Sequence, residues 1–198
     1  MQRVLGLAVA VLMLAGTAQA GPIHDAAVSG DVDGLVRLIK AGTNVNELNA
    51  AGETALMVAA RESQRYTLQA LLTYLADVNA KSPDGMTALH WAAYGNEAWF
   101  IETLDVAGAD MDARNSEGET PLIFAAAAGK AATAVRLPNR RADLEAVDNS
   151  GRSALTRAGI NGHEKVVSLL LRLGAMCQTI DAAWHDTCEA RRAELGIK

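Results

Sequence analysis

The sequence predicts an all-α repeat solenoid, and three observations carry that prediction. "GETALMVAA" at 52–60 returns as "GMTALHWAA" at 85–93, "GETPLIFAA" at 118–126 and "GRSALTRAG" at 151–159. The leading glycines Gly52, Gly85, Gly118 and Gly151 are evenly spaced, which defines a 33-residue period. Within each interval, two short helical patterns are separated by a turn and followed by a polar stretch. A unit of this size cannot bury its own apolar face, so it is stable only when its neighbours stack on it.

The chain opens with a segment that does not belong to the repeat. Residues 1–20 carry one positive charge, Arg3, then an apolar run from Val4 to Leu14, then small residues ending in Ala18, Gln19 and Ala20. This is the pattern of a cleavable secretory signal, and the run is shorter than the roughly 20 apolar residues that span a bilayer. Cleavage after Ala20 is expected to leave 178 of the 198 residues, with 17 basic residues against 23 acidic ones. No later segment has the length and apolarity of a membrane span. The acidic balance and the lack of a basic run argue against nucleic acid as a partner; the nearest candidate, Arg140 and Arg141, is only a pair and reads as a solvated turn.

The repeat itself is clearest from Thr87 onward, in "TALHWAAYGNEAWFIETLDVAGADMDA". Thr87 is placed to cap a short Ala-rich helix, Gly95 and Asn96 mark a turn, and a second, more apolar helix stops at Gly108, a residue that accepts the left-handed conformation. The polar "ADMDARNSEG" that follows reads as an extended finger with a turn. On "GETPL" at 118–122, "TALH" at 87–90, "NGHEKVVSLLLRLGA" at 161–175 and the finger ends "ADVNA" and "ADMDA", the chain resembles the ankyrin repeat family, from about Ile23 to Cys177. The resemblance implies a stack of about five helix-turn-helix units with β-hairpin-like fingers: a signal segment at 1–20, a repeat domain at 21–177 and a C-terminal capping helix within 178–198. One period before Leu56 stands Ile23, so "IHDAAVSGDVDGLVRLIKAGTNVN" is the first unit and N-terminal cap.

Two units depart from the pattern. Leu75 stands where Gly42, Gly108 and Gly174 end their second helices, and the fourth unit has Pro138 inside its second helix and Arg141 at the glycine position. Proline inside a helix costs about 3 kcal/mol, so that helix is expected to end near Leu137.

Residues capable of chemistry read mainly as scaffold. His24 and His90 hold one repeat position, where the resemblance implies a framework hydrogen bond, and His163 fills a turn. The carboxylates Asp77, Asp110, Asp143, Glu53, Glu117 and Glu119 recur on fingers. No catalytic residues, cofactor or metal ligands are assigned. Cys177 and Cys188, a pair in an exported chain, most simply form one disulfide; a metal site including His185 and Asp186, or a Cys188 nucleophile beside them, is the competing reading. Trp91 reads as core. Trp184, Cys188, Arg191 and Leu195 share one helical stripe that packs on the last repeat. Tyr66 and Trp99, one period apart on adjacent second helices, either stack on each other or form an aromatic contact patch.

In ankyrin proteins the concave surface commonly binds another protein, and the resemblance implies the same here. Its variable contact positions fall on Glu53, Arg61 and Glu62; on Asp84, Met86 and Tyr94; on Ser116, Glu117 and Glu119; and on Asn149, Arg152 and Asn161. The expectation is a non-enzymatic, monomeric binding module in a bacterial periplasm. Small exported ankyrin proteins suggest a partner among envelope enzymes, restrained (a peptidoglycan hydrolase) or supported (a catalase). A secreted effector binding host proteins is the alternative.

Overall fold

The computed structural model describes residues 21–177 and 182–197; the expected signal segment at 1–20 lies outside them, as do residues 178–181. Among the described residues the chain forms five helix pairs and a closing helix. The pairs are α1 (Pro22–Ser29) with α2 (Val32–Lys40), α3 (Ala55–Arg61) with α4 (Arg65–Thr73), and α5 (Ala88–Gly95) with α6 (Ala98–Val106). Then come α7 (Pro121–Ala127) with α8 (Ala131–Arg136), α9 (Ala154–Ile160) with α10 (Glu164–Arg172), and finally α11 (Ala182–Glu194). The first helices of successive units pack side by side, and each second helix packs behind its own first. The architecture is the all-α repeat solenoid that the period of the sequence predicts.

The first helices are too short to persist alone; small, apolar residues let neighbours cover them on both flanks. In α3, every residue from Ala55 to Ala60 is buried. Side-chain caps start these helices: Thr54 Oγ1 accepts the Met57 N–H at 3.3 Å, Thr120 Oγ1 that of Ile123 at 3.4 Å, and Ser153 Oγ that of Thr156 at 3.3 Å. Each such cap contributes about 1 kcal/mol relative to alanine. The second helices are amphipathic, as in α10, where Val166, Val167, Leu170 and Leu171 are buried while Glu164, Lys165 and Arg172 face solvent.

At the two departures the backbone keeps its course. Leu75 and Arg141 adopt φ of 60° and 71°, the left-handed region that Gly42, Gly108 and Gly174 occupy at the same repeat position. The cost of a side chain there, about 1–2 kcal/mol, is borne because the following finger must leave in that direction. Before Pro138, α8 ends at Arg136 and one turn of 3₁₀-helix covers Pro138–Arg140, as the proline requires. Arg140 and Arg141 do not form a merely solvated turn; they pair with Asp105 of α6 at 3.1 and 3.5 Å.

The fingers contain no extended strand among the described residues, only the antiparallel bridges Leu48–Thr54 and Val147–Ser153. A side-chain ladder with the period of the repeat joins them. Asn46 Oδ1 accepts the Asp77 N–H, Asn79 Oδ1 the Asp110 N–H and Asp112 Oδ1 the Asp143 N–H, each at 2.8 Å, and Glu145 Oε1 accepts the Met176 N–H at 3.0 Å. Burial, with Asp143 and Asp110 nearby, pushes the Asp112 carboxyl up, the Asp143 N–H acting against this. Close finger packing also dictates Gly118: its φ is 75°, and a Cβ there would lie 2.8 Å from the backbone nitrogen of Asn149.

Beyond the fifth unit, α11 packs on α9 and α10. Cys177 and Cys188 are joined in a disulfide, with Cys188 fully buried. Trp184 lies so close to α9 that a Cβ on Gly159 would be 1.9 Å from its ring.

Candidate protein-binding face

The first helices of the three inner units are covered on both flanks by neighbouring units, and all five are backed by their second helices, leaving one face open, on the concave side of the stack. Two positions per helix reach it. Four residues after the cap stand Trp91, Phe124 and Arg157, while Val58 at the same position is buried; seven after it stand Val28, Arg61, Tyr94, Ala127 and Ile160. In the second column Val28, Tyr94 and Ile160 are 46%, 47% and 49% exposed, large fractions for apolar and aromatic side chains.

The middle of this face is aromatic and cationic. Phe124 lies edge-on to Trp91 with ring centroids 6.4 Å apart, and is tilted against Tyr94 at 5.8 Å. The Arg61 guanidinium sits 5.5 Å from the Trp91 centroid, and the Lys130 ammonium lies 4.2 Å from that of Tyr94. Such contacts favour a cation over a ring face and hold the rings in place. Arg61 also binds Glu53 and, at 3.1 Å, Glu62. Desolvation works against its charge, but these carboxylates outweigh it and hold the guanidinium above its ordinary pKa. Arg157 reaches Glu119 at 2.6 Å, Asp148 at 2.7 Å and Glu117 at 3.8 Å. The two arginines thus bracket the aromatic patch with charges already paired, and less desolvation stands between the rings and an apolar partner.

The twelve expected contact residues divide by burial. Glu62, Asp84, Tyr94, Ser116, Glu117, Asn149 and Asn161 are exposed, and Arg61 and Arg152 are half-buried. Glu53, Met86 and Glu119 are only 8%, 8% and 6% exposed, and they are corrected here to framework residues. They share the position before the cap, where the chain turns inward from the finger. The Glu53 and Glu119 N–H groups donate to Asn49 and Asn115, and Asn115 Nδ2 donates to Glu119 Oε2 at 3.1 Å and Met86 Sδ at 3.6 Å. Asn149 and Asn161 also tie units together, donating to the carbonyls of Ser116 at 3.0 Å and Ala127 at 2.8 Å.

Trp91, expected in the core, packs against it but is a half-buried member of the open face. Its Nε1 is shielded and has no hydrogen-bond partner among the described residues. Phe124, Arg157, Lys130, Val28 and Ile160 are absent from the sequence-based contact set as well. A signal for most of them exists in the sequence, because whole periods counted from Trp91 and Tyr94 reach them. On the opposite side, Tyr66 and Trp99 do not stack. Trp99 carries the Arg65 guanidinium 4.7 Å from its centroid and meets Phe100 edge-on at 5.0 Å, while Tyr66 is 75% exposed.

The histidines hold the frame. His24 Nε2 contacts the Glu53 carbonyl at 3.0 Å, His90 Nε2 that of Glu119 at 3.1 Å, and His163 Nε2 that of Ala127 at 2.9 Å. Burial lowers the His90 pKa to about 4; its neutral ring donates from Nε2 and accepts the Thr87 N–H at Nδ1 at 3.2 Å. Near His185 and Asp186, the sulfur that a nucleophile would need is bonded to Cys177.

The ankyrin repeat family model, three copies long, matches residues 23–105 and again 95–181. No curated protein matches the chain. Ankyrin repeats generally mediate protein–protein interaction, and no helix among the described residues is long and apolar enough to cross a membrane. With the period, the capped helix pairs and the finger ladder in agreement with that match across most of its length, the chain belongs to the ankyrin repeat family.

Proposed function

We propose that this chain is an exported, non-enzymatic module that binds one protein through the open face of its first helices, acting as a monomer before capture. One observation carries the reading: a continuous patch of Trp91, Tyr94 and Phe124, bracketed by paired arginines and continued by the exposed Val28 and Ile160. Aromatic residues held rigid at the centre of a face, with polar groups around them, are where binding energy concentrates in protein interfaces. The polar rim consists of Glu62, Asp84, Ser116, Glu117, Asn149, Arg152 and Asn161. The signal-like segment and the Cys177–Cys188 bridge support export to the periplasm, where a partner envelope enzyme would be restrained or supported.

The test is capture from a periplasmic extract with the exported protein as bait. Tyr94→Ala with Ile160→Ala removes exposed contact area without opening the core, so partner recovery is expected to fall at least tenfold with little change in melting temperature. Tyr66→Ala on the opposite side is the control. Retained capture by the double variant, with loss in the control, would move the interface to the second helices.

A further inference from the structure

The first unit departs from the others at two positions that face each other. Thr54, Thr87, Thr120 and Ser153 bring a hydroxyl to the start of their helices, but α1 starts from Gly21, which makes no side-chain cap bond. The later fingers carry Ala80, Ala113 and Ala146 where the first carries Glu47. A Cβ built on Gly21 would lie 2.9 Å from Oε1 of Glu47 and 3.4 Å from Nδ1 of His24. Since N and Cβ of one residue are about 2.5 Å apart, the Gly21 nitrogen lies within roughly 5.5 Å of the carboxylate. At such a distance an opposite charge stabilises an ionised group.

Both neighbours lack a proton donor among the described residues. His24 is completely buried and its Nε2 is engaged with the Glu53 carbonyl, while Nδ1 has no hydrogen-bond partner among the described residues. At the same repeat position, His90 Nδ1 receives the Thr87 N–H and lies 2.9 Å from the Thr87 hydroxyl. Glu47 takes part in no ion pair among the described residues.

We infer that the α-ammonium of Gly21, released by cleavage after Ala20, is the missing group: it pairs with the Glu47 carboxylate and donates to His24 Nδ1, closing the N-terminal unit. The inference rests on the export reading above. Hydrolysis of the Ala20–Gly21 amide consumes one water; the new carboxylate leaves with Ala20, and the new amine stays and takes up a proton. In the precursor the same nitrogen is an uncharged amide with a single N–H. Maturation therefore adds one positive charge and two donors at the place where the first unit differs from the rest. The charged or titratable groups around it are Glu47 from the finger and His24 and Asp25 from α1, with Glu53 reached through its carbonyl; the carboxylates all favour the ammonium.

The full precursor labelled with [¹³C]glycine is expressed in a bacterial host, and the exported product is identified by intact mass and titrated through the Cα resonance of its N-terminal glycine. The expected product begins at Gly21, with an amine pKa at least about half a unit above the ordinary 7.7–8.0. Glu47→Gln, a change at an exposed residue, returns it to that range. The contribution is fully present below the unfolded-state value and is lost as pH rises through the raised one. Melting temperature accordingly falls by roughly 1–3 °C across that window in the wild type and not in Glu47→Gln. A chain that begins at Gly21 with an ordinary amine pKa, unmoved by Glu47→Gln, overturns the ion pair and leaves export intact. A chain that keeps Met1 or begins elsewhere overturns both.

Discussion

At the C-terminal end the last repeat is covered by α11, with Trp184 pressed onto the Gly159 backbone and Cys188 buried in its disulfide. At the N-terminal end no described element covers the corresponding side of α1 and α2, which carries a hollow of about 690 Å³ lined by Pro22, Asp25, Ala26, Ser29, Asp31, Gly34, Arg37, Leu38 and Ala41. A stack must end somewhere, and a terminal unit stays in solution only with a polar outer side or a lid. The first unit uses composition: Asp25, Asp31 and Arg37 line the exposed hollow. The fifth uses an apolar lid, and a lid of one short helix needs an anchor because such a helix is marginal alone. The two ends should therefore fail under different treatments.

The largest expected effect is at the anchored end. Reduction, or Cys188→Ser, should lower stability by roughly 3 kcal/mol by loop-entropy reasoning, a large part of the roughly 5–15 kcal/mol typical of a domain. Hydrogen exchange should accelerate first in α11 and α9 while α1 and α2 keep their protection. Equal acceleration at both ends would erase the distinction between them.

Next in size is a pH effect centred between the ends. The unfolded His90 takes a proton near 6.5, but the native ring refuses it until about 4. The unfolded state thus binds more protons in this window, and stability falls as pH drops from 6.5 towards 4, by about 2–3 kcal/mol at pH 4.5. Denaturant melts at pH 7 and 4.5 should show His90→Gln losing less than the wild type. An equal loss in both chains would place the acid sensitivity elsewhere.

Gly159→Ala sharpens the account of the lid. Alanine favours a helix over glycine by about 0.5–1 kcal/mol, so a free helix face would gain. Here the methyl group would overlap the Trp184 ring, and overpacking of this kind costs about 1–3 kcal/mol. A net loss is expected in a chemical melt, and it should shrink in a Trp184→Ala background because the two residues touch.

The smallest effect is a gain away from both ends. Leu75 is 85% exposed and has φ of 60°, so Leu75→Gly relieves left-handed strain without unburying a side chain. Set against glycine's greater unfolded-state entropy, a net gain of about 0.5–1 kcal/mol is expected. Thermal melts of the single variant measure it, and a lower melting temperature would show that the leucine makes compensating contacts.

The features that repeat are legible in the amino-acid order alone. The 33-residue interval, the Thr and Ser caps, the break before Pro138 and the Cys177–Cys188 pair follow from local rules: capping, backbone sterics and sequence proximity. Packing between units sets which members of a repeated position face out. Glu53, Met86 and Glu119 occupy the same register as the expected contacts, yet Asn49 and Asn115 draw their backbones or side chains inward. Trp91 lies on the open face because Arg61 and Phe124, from the units on either side, hold it there. Arg157 gains its role from Glu119 of the preceding unit. A periodic sequence specifies a shared backbone position, but the partner of each side chain comes from the next unit, where the chemistry is free to vary. The meeting of Gly159 with Trp184 was hidden for the same reason, since the space that glycine leaves is defined only once the lid is in place.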